Sequence, residues 1–288
     1  MRFPTRRALT VLEPGPSTTV QDQGRPGWAH LGVPRSGALD ARSAGLANRL
    51  VGNHPAAALL ETTCGGVSLR AEAAMSIAVT GAEAAVLVAG RERAFGAPVT
   101  VRAGETLTVG PARWGVRSYV AVAGGVDVSP VLGSRSTDTL SGVGPAPLAA
   151  GDVLPVGDPV GRPAAVDLTT GHRPRSPVCL RVHPGPRADW FADPGALLGP
   201  AYTVSVHSNR VGLRLQGPLL ERGAAGAELP SEGIVLGAVQ VPASGQPVVF
   251  LHDHPTTGGY PVLAVVAPDD LDRCAQLRPG DLVRFLAC

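Results

Sequence analysis

Short apolar runs, rich in valine and bounded by glycine, recur along the whole chain. Such runs are too short for ordinary helices, and their β-branched side chains are typical of β-strands. We predict strands at 75–80, 85–89, 106–109, 118–123, 178–182, 202–206, 213–215, 247–251 and 262–266. The hydrophobic pattern therefore predicts a mainly β fold.

Helical spacing of apolar positions is confined to short stretches. Three short helices are predicted, at 39–50, from 269 or 270 to 277, and at 189–198, where Pro194 interrupts the pattern. Gly52 ends the first helix, and Asp269 or Asp270 is placed to cap the second. These elements add a few short helices without changing the fold class.

Two β-rich halves are separated by a segment with little periodicity. The chain has 288 residues with 37 glycines and 28 prolines, and prolines recur between Gly157 and Pro177. The tract 150–154 resembles 279–283, and each is predicted to be a turn followed by a closing strand. We predict an N-terminal domain at 1–160, a Pro-rich linker at 161–177 and a C-terminal domain at 178–288. Clefts between such domains are common ligand sites.

The charged residues limit the chemistry that this chain can carry by itself. All 25 basic residues are arginine, none is lysine, and the net charge is +2 without a run of like charge. A chain without lysine cannot bear biotin, which is attached to a lysine amine, and it lacks the lysine of a Walker A loop. The nearly balanced charge also argues against a nucleic-acid partner.

The sequence indicates neither membrane insertion nor a disulfide framework. The N-terminal arginines are not followed by an apolar signal core, and no apolar run reaches membrane-spanning length. The four cysteines lie far apart and form no CxxC pair, which argues against a zinc knuckle and against disulfides. We expect a cytoplasmic protein with no membrane partner.

A polar, glycine-rich segment is the first candidate for ligand contact. It contains Gln21, Asp22, Arg25, Ser36 and Asp40. Glycines in such a loop let backbone amides, a carboxylate and a guanidinium approach a small polar ligand. The alternative for Ser36 and Asp40 is structural, because either can cap the helix that follows.

A second candidate segment surrounds an arginine with hydroxyl groups. Its residues are Ser134, Arg135, Ser136 and Asp138. This arrangement suits a carboxylate or a phosphate, because guanidinium offers a planar fork and hydroxyls add donors. Ordinary turn chemistry explains the same residues equally well.

Two further segments lie in the C-terminal half. One holds Ser208, Arg210 and Arg214, whose two arginines share a face on a strand, either toward a ligand or as a solvated edge. The other holds Glu232, Gln240, Asp253, Thr256, Thr257 and Tyr260. Two threonines before two glycines present hydroxyls and open amides, and Asp253 is placed to accept or orient a proton. A plain hairpin turn is the alternative, although it does not need so many side-chain donors.

Metal binding and covalent catalysis have little support in the sequence. His252 and His254 share a face if their segment is a strand, yet no histidine follows His254 and no glutamate follows Glu232. A metal site needs three or four placed ligands, so we expect none. The chain has no G-x-S-x-G elbow, and its cysteines lack the polar setting that lowers a thiol pKa.

Taken together, these segments resemble the allophanate hydrolase subunit 2 family, also described as the biotin-dependent carboxyltransferase family. From about Val11 to Phe285 the motifs follow the family order: TTVQDQGRPG, SGALD, AN-x-LVGN, LGSRSTD, SNR-x-G-x-RL, SEGI and TTGGYP. Pro255 stands where glutamine is common, and Leu236 where proline is frequent. The family includes the C component of bacterial 5-oxoprolinase, a portion of urea carboxylase, and an antagonist of a sporulation kinase inhibitor.

The resemblance implies two cyclophilin-like β-barrel domains and a chain that works with partner proteins. The leading hypothesis is the C component of an ATP-dependent 5-oxoprolinase, which opens the small acidic substrate 5-oxoproline to glutamate together with the A and B components. No cofactor is then bound covalently, and ATP is used by the complex. Asp253 as a base, Arg135 and Thr257 become the candidate catalytic residues, and the other candidate residues of the four segments, apart from Arg214, become substrate contacts.

Two other functions fit the same residues. One is carboxyl transfer to urea or a related amide from biotin carried by another chain, since this chain has no lysine to carry it. The other is a non-catalytic binding protein that antagonises a kinase inhibitor. Under the leading hypothesis the isolated chain is inactive.

Overall fold

A computed structural model of the chain describes residues 7–164, 176–223 and 229–288. They cluster into two compact units. The first unit draws on Met1–Arg25, Ser36–Asp138 and Gly142–Arg173, and the second on Pro26–Arg35, Thr139–Ser141 and Pro174–Cys288. Most of the predicted linker, 165–175, lies outside the described residues, so the predicted domain boundaries stay predictions.

The described residues of the first unit form two antiparallel sheets and one helix. Its strands are β1 (Ala8–Pro14), β2 (Ser17–Gln21), β3 (Leu59–Thr63), β4 (Val67–Ala71), β5 (Met75–Gly81), β6 (Ala84–Val88), β7 (Arg91–Arg93), β8 (Val99–Val101), β9 (Thr106–Ala112), β10 (Arg117–Val122) and β11 (Val153–Pro155), and its helix is α1 (Ala41–Leu50). The sheets have the strand orders β11-β1-β4-β9-β6-β7 and β2-β3-β10-β5-β8. Alternate residues of both sheets face inward and form one almost fully buried core of valine, leucine and isoleucine.

Helix α1 packs on the second of these sheets through small side chains. Ala44, Ala47 and Leu50 share a buried cluster with Leu59 and Tyr119 of the sheet. The loop that precedes α1 is held by two bonds, from the backbone N of Ala38 to the carbonyl of Asp22 and from that of Leu39 to Oε2 of Glu61, both at 2.9 Å.

The second unit contains a closed barrel and a two-stranded ribbon. Its strands are β12 (Val178–Pro184), β13 (Ala201–Val204), β14 (Gly212–Gln216), β15 (Glu232–Gly233), β16 (Ala238–Gln240), β17 (Val248–Phe250), β18 (Thr257–Gly258), β19 (Val262–Val266) and β20 (Leu282–Ala287). The barrel order is β12-β19-β16-β17-β14-β13-β20, closed by the parallel pair β12 and β20, while β15 and β18 form the ribbon. Inside the barrel, the rings of Tyr202 and Phe285 meet edge to face at 5.8 Å.

The helices of the second unit are single turns. They are the 3₁₀ helices Ala29–Leu31, Ala188–Trp190, Pro194–Leu197 and Pro268–Asp270, and α2 (Leu271–Cys274). The helix predicted at 189–198 is therefore two 3₁₀ turns, and Pro194 begins the second because proline fits the first helical position.

Of the two predicted caps, Asp269 and Asp270, Asp270 occupies the N-cap position of α2 but makes no capping bond there. The helix ends at Cys274 instead of Leu277. The carboxylate of Asp270 instead accepts bonds from the backbone N of Arg181 at 2.9 Å and from its Nε at 2.8 Å. Charge-assisted bonds of this kind are stronger than an ordinary cap.

The sequence echo between 150–154 and 279–283 corresponds to one turn built twice. Gly151 and Gly280 both adopt positive φ, at 93° and 91°. In each turn the aspartate that follows accepts a bond from the backbone N three residues earlier, at 2.8 Å for Asp152 and 2.7 Å for Asp281. A strand begins directly afterwards in both units, as predicted.

The predicted fold class, mainly β with a few short helices, is confirmed. Each of the nine predicted strand segments overlaps an observed strand. Within the part of the chain that the structure describes, no helix combines the length and apolar character needed to cross a membrane.

Candidate functional site

The candidate residues divide between the two units. The first unit holds Gln21, Asp22, Arg25, Ser36, Asp40, Ser134, Arg135, Ser136 and Asp138, and the second holds Ser208, Arg210, Glu232, Gln240, Asp253, Thr256, Thr257 and Tyr260. Each group is a set of local contacts with its own chemistry.

In the first unit, the carboxylate of Asp22 joins two loops. It accepts bonds from the hydroxyls of Ser134 and Ser136, both at 2.6 Å, from the backbone N of Arg135 at 2.6 Å, and from that of Gly24 at 2.7 Å. Four donors occupy its oxygens, so Asp22 organises this turn. Ser134 and Ser136, which we predicted as ligand contacts, both donate their hydroxyl protons to this carboxylate.

Gln21 and Arg25 also donate hydrogen bonds to backbone carbonyls of the segment 131–137. Gln21 donates from Nε2 to the carbonyl of Thr137 at 3.0 Å. Arg25 is buried, and its guanidinium donates to the carbonyls of Val131, at 3.3 Å, and of Ser136. Asp138 is also buried. These contacts favour the structural alternative for this segment.

Arg135 is the most open cation of the loop. Its side chain is 37% exposed, and Nη2 lies 2.9 Å from Oδ1 of Asp127. Nε donates to the carbonyl of Val128 at 2.7 Å. Nε and Nη2 of Arg135 thus bond to protein atoms, while part of the side chain is exposed to solvent.

Asp40 caps helix α1. Its two carboxylate oxygens accept from the backbone N and the hydroxyl of Ser43, at 2.9 and 2.7 Å. Ser36 lies in the same loop with φ at 51°, and its fully buried Oγ has no partner among the described residues. The structural alternative therefore holds for Asp40, whereas Ser36 is a strained residue without a capping bond.

In the second unit, Asp253 and Arg210 form a buried ion pair. Oδ2 and Oδ1 of Asp253 lie 2.9 and 3.0 Å from Nε and Nη2 of Arg210, which is a bidentate arrangement. Thr139 adds bonds to Oδ2 from its backbone N at 3.0 Å and its hydroxyl at 2.6 Å. Burial raises the pKa of Asp253, but Arg210 and Thr139 outweigh it and hold that pKa below its usual value. A carboxylate so held is a weak base, which favours a positioning role.

His252 is buried beside this pair. Burial, then the positive charges of Arg210 and Arg35, lower the pKa of His252 to about 3. Its Nδ1 is buried and has no partner in the described ranges. His254 instead donates from Nδ1 to the carbonyl of Pro255 at 2.7 Å. Within the described residues, no group of three side chains is placed to hold a metal ion.

Four candidates of the second unit lie on or beside the β15–β18 ribbon, a group that we name the Tyr260 cluster. Its members are Glu232, Gln240, Thr257 and Tyr260, with Arg187, Trp190 and Arg222 beside them. The ribbon pairs Glu232 with Gly258 and Gly233 with Thr257. Gln240 donates from Nε2 to the carbonyl of Tyr260 at 2.9 Å, which fixes the turn after the ribbon.

Two arginines stack on aromatic rings in the Tyr260 cluster. The guanidinium of Arg187 lies 5.8 Å from the ring of Trp190, and that of Arg222 lies 5.4 Å from the ring of Tyr260. Arg187 also pairs with Glu232, with Nε and Oε2 3.1 Å apart, and this bond lowers the pKa of Glu232. Stacked guanidinium groups next to an exposed threonine suit a small ligand with a carboxylate or amide group.

Sequence inspection missed Arg187, Trp190 and Arg222. They lie outside the glycine-rich motifs, and only the folded chain brings them beside the ribbon. Nε of Arg222 is buried without a partner in the structure described here, although Nη2 donates to the carbonyl of Val241 at 2.7 Å. No local pattern in the sequence indicates this donor.

Ser208 and Thr256 belong to the backbone framework. The hydroxyl of Ser208 accepts from the backbone N of Arg214 at 3.0 Å, and the carbonyl of Thr256 accepts from Ile234 at 2.9 Å. Both contacts are typical of turns.

Comparisons with known proteins agree with one another. A family model described as "Carboxyltransferase domain, subdomain A and B" matches residues 31–287. The C component of the Escherichia coli 5-oxoprolinase is 38% identical over 97% of this chain and 91% of its own length.

Two solved structures share the fold along almost the whole chain. TTHA0988 gives a TM-score of 0.87 at 42% identity and covers 99% of this chain, which spans 57% of that chain. The urea carboxylase of Kluyveromyces lactis gives a TM-score of 0.90 at 32% identity over 99% of this chain, which spans 28% of that chain.

Proposed function

Because the chain belongs to the family of carboxyltransferase domains with subdomains A and B, we propose that it is the C component of an ATP-dependent 5-oxoprolinase. The sequence resemblance to this family is confirmed. The observation that carries the proposal is the nearly end-to-end match to the C component of the Escherichia coli enzyme. Urea carboxylase matches over a fraction of its length only.

The proposed reaction opens the lactam of 5-oxoproline to glutamate. A lactam carbonyl is a poor electrophile, and transfer of a phosphoryl group from ATP to its oxygen, with release of ADP, makes the carbon susceptible to water. Water adds to this carbon, the C–N bond of the ring breaks as the nitrogen takes up a proton, and the phosphate leaves as inorganic phosphate. We assign the ATP step to the partner proteins, the A and B components, because this chain lacks a Walker A lysine. This chain then binds and orients the activated intermediate, with no covalently bound cofactor.

The Tyr260 cluster is the surface that we assign to this intermediate. Arg222 supplies a guanidinium donor for a carboxylate or phosphate, and the exposed Thr257 supplies a hydroxyl. Asp253 acts as a positioning residue through its pair with Arg210, in place of the base that we predicted from sequence. Arg135 keeps its predicted catalytic role as a proposal, since part of its side chain reaches solvent.

Recovery of the native complex tests the assignment. A tagged copy of the chain is expressed in its native source, and the recovered complex is assayed for glutamate and ADP formation from 5-oxoproline and ATP. We expect the A and B components in the complex and ATP-dependent turnover. A complex that contains neither component and does not turn over 5-oxoproline contradicts the proposal.

A second function is favoured by the likeness to urea carboxylase. In that case the chain transfers a carboxyl group from biotin that is carried on another protein, since it has no lysine of its own. The same recovered complex distinguishes the two functions. An avidin-reactive partner with bicarbonate-dependent carboxylation of urea supports the second one.

A further inference from the structure

Arg214 occupies an outward position on the barrel of the second unit. In β14 its neighbours Leu213 and Leu215 are buried, and Arg214 itself is exposed. Arg214 is among the residues that line a cavity of about 260 Å³, and its side chain makes no ion pair within the described ranges. The lining of this cavity therefore includes a cationic side chain, and none of its lining residues belongs to the Tyr260 cluster.

The cavity also contains hydroxyl groups with protons to donate. Oγ of Ser205 accepts from the backbone N of His207 at 3.3 Å, and Oγ of Ser244 accepts from that of Gln246 at 3.4 Å. A hydroxyl that accepts from the protein still has its own proton for a ligand. Both serines therefore add donors to the positive charge of Arg214.

One wall of the cavity is held rigidly. The side-chain amide of Gln246 exchanges two bonds with the backbone of Gly217, from Gly217 N to Oε1 at 2.8 Å and from Nε2 to the carbonyl at 3.0 Å. The backbone N of Leu220 donates to the carbonyl of Gly245 at 3.0 Å, which anchors the same hairpin. A wall fixed before binding lowers the entropy cost of holding a ligand.

Much of the remaining lining is apolar, and no acidic side chain among the described residues lines the cavity. Pro242, Pro247 and Val248 contribute the apolar part, and Gln216 adds a polar side chain. A single guanidinium suits the planar carboxylate fork, whereas a phosphate commonly takes several cations or a group of backbone N–H donors. The cavity is slightly smaller than typical ligand sites of ~300 Å³ or more, which limits the size of the ligand.

We propose that this cavity binds a small carboxylic acid anion with an apolar body. The carboxylate pairs with Arg214 and accepts from the serine hydroxyls, and the apolar part lies against Pro242 and Val248. This site goes beyond the proposed function and does not depend on it, because binding is measured on the isolated full chain.

Ligand-observed NMR titration tests the site with three probes: propionate, L-5-oxoproline and inorganic phosphate. Arg214→Gln is compared with Arg284→Gln, which removes another exposed arginine from strand β20 of the same barrel. We expect at least one of the two carboxylates to bind saturably near ~1 mM, and Arg214→Gln to weaken it about tenfold, or ~1.4 kcal/mol. Arg284→Gln is expected to bind as the wild type does, and both variants to unfold at the same temperature.

Three results overturn the proposal. They are no saturable binding of either carboxylate, equal binding by Arg214→Gln and the wild type, and binding of phosphate alone. None of them bears on 5-oxoprolinase activity, because no partner protein is present in the titration.

Discussion

The carboxylate of Asp253 is completely buried in the second unit, and it lies against charged and polar groups. Its two oxygens face Arg210 in a bidentate pair, and Thr139 donates twice more. Burying two charges has a large desolvation cost, which offsets much of their attraction. Removal of one charge alone therefore gives the clearest change in the free energy of unfolding.

Asp253→Asn is expected to destabilise the chain strongly, because it removes the negative charge from a buried bidentate pair with Arg210. The expected loss in the free energy of unfolding is ~3–5 kcal/mol. Urea unfolding measures it, with the exposed Asp158→Asn as the control, for which we expect a change within ~0.5 kcal/mol. Equal effects of the two substitutions would show that the buried pair contributes nothing.

The second prediction concerns the effect of His252 on the pH dependence of stability. Its pKa is about 3 in the folded chain and near 6.5 when unfolded, so between these values only the unfolded chain takes up the proton. Stability from this group is present above pH 6.5 and is lost as the pH falls, by up to ~1.4 kcal/mol per pH unit.

The measurement compares the unfolding free energy at pH 7 and pH 5 in wild type and His252→Asn. The wild type should lose more stability than the variant, and the difference isolates His252 from the carboxylates that titrate lower. An identical loss in both proteins would mean that His252 is solvated or protonated in the folded state.

At the scale of elements, turns and loops depend on single carboxylates. Asp22 joins the loop after β2 to the segment 134–136, and Asp152 and Asp281 close two equivalent turns before β11 and β20. Each supplies acceptors for backbone N–H groups that strand pairing leaves unsatisfied. The fold thus uses aspartate where a turn approaches a strand.

Asp22→Asn is expected to destabilise the first unit, because an amide replaces one of two acceptor oxygens and weakens four bonds. The expected loss is ~2 kcal/mol, in the range for hydrogen bonds to charged groups. Asp127→Asn is the matched control, since Asp127 also contacts Arg135 but is largely exposed and should cost less than ~1 kcal/mol. Chemical denaturation distinguishes them, and a neutral Asp22→Asn would contradict the role of Asp22 in joining the loops.

The elements were largely predictable from sequence, and the long-range contacts were not. Valine-rich runs indicated the strands, and the repeated Gly-Asp tracts indicated the turns, because both depend on neighbouring residues. Asp253 was singled out but assigned as a base, since its pairing with Arg210 depends on barrel closure. Arg222 was missed altogether, because its ring partner lies 38 positions away in the chain.

At the scale of the whole molecule, the proposed function assigns a binding surface to this chain and the ATP-driven step to other proteins of the complex. Arg222→Gln tests the surface. In the recovered complex we expect kcat/KM for 5-oxoproline to fall at least ~10-fold, equivalent to ~1.4 kcal/mol, with the A and B components still bound. Arg284→Gln should leave both properties unchanged. Loss of the partner proteins together with activity would indicate that the Tyr260 cluster is a docking surface instead.

The most direct measurement is an assay in which each of the three proteins is omitted in turn. Glutamate formed from 5-oxoproline is quantified with ATP and the purified A and B components, with and without this chain, and with this chain alone. We expect turnover only when all three are present. Full turnover by the A and B components without this chain, or any ATP-dependent turnover by this chain alone, would contradict the proposed division of work.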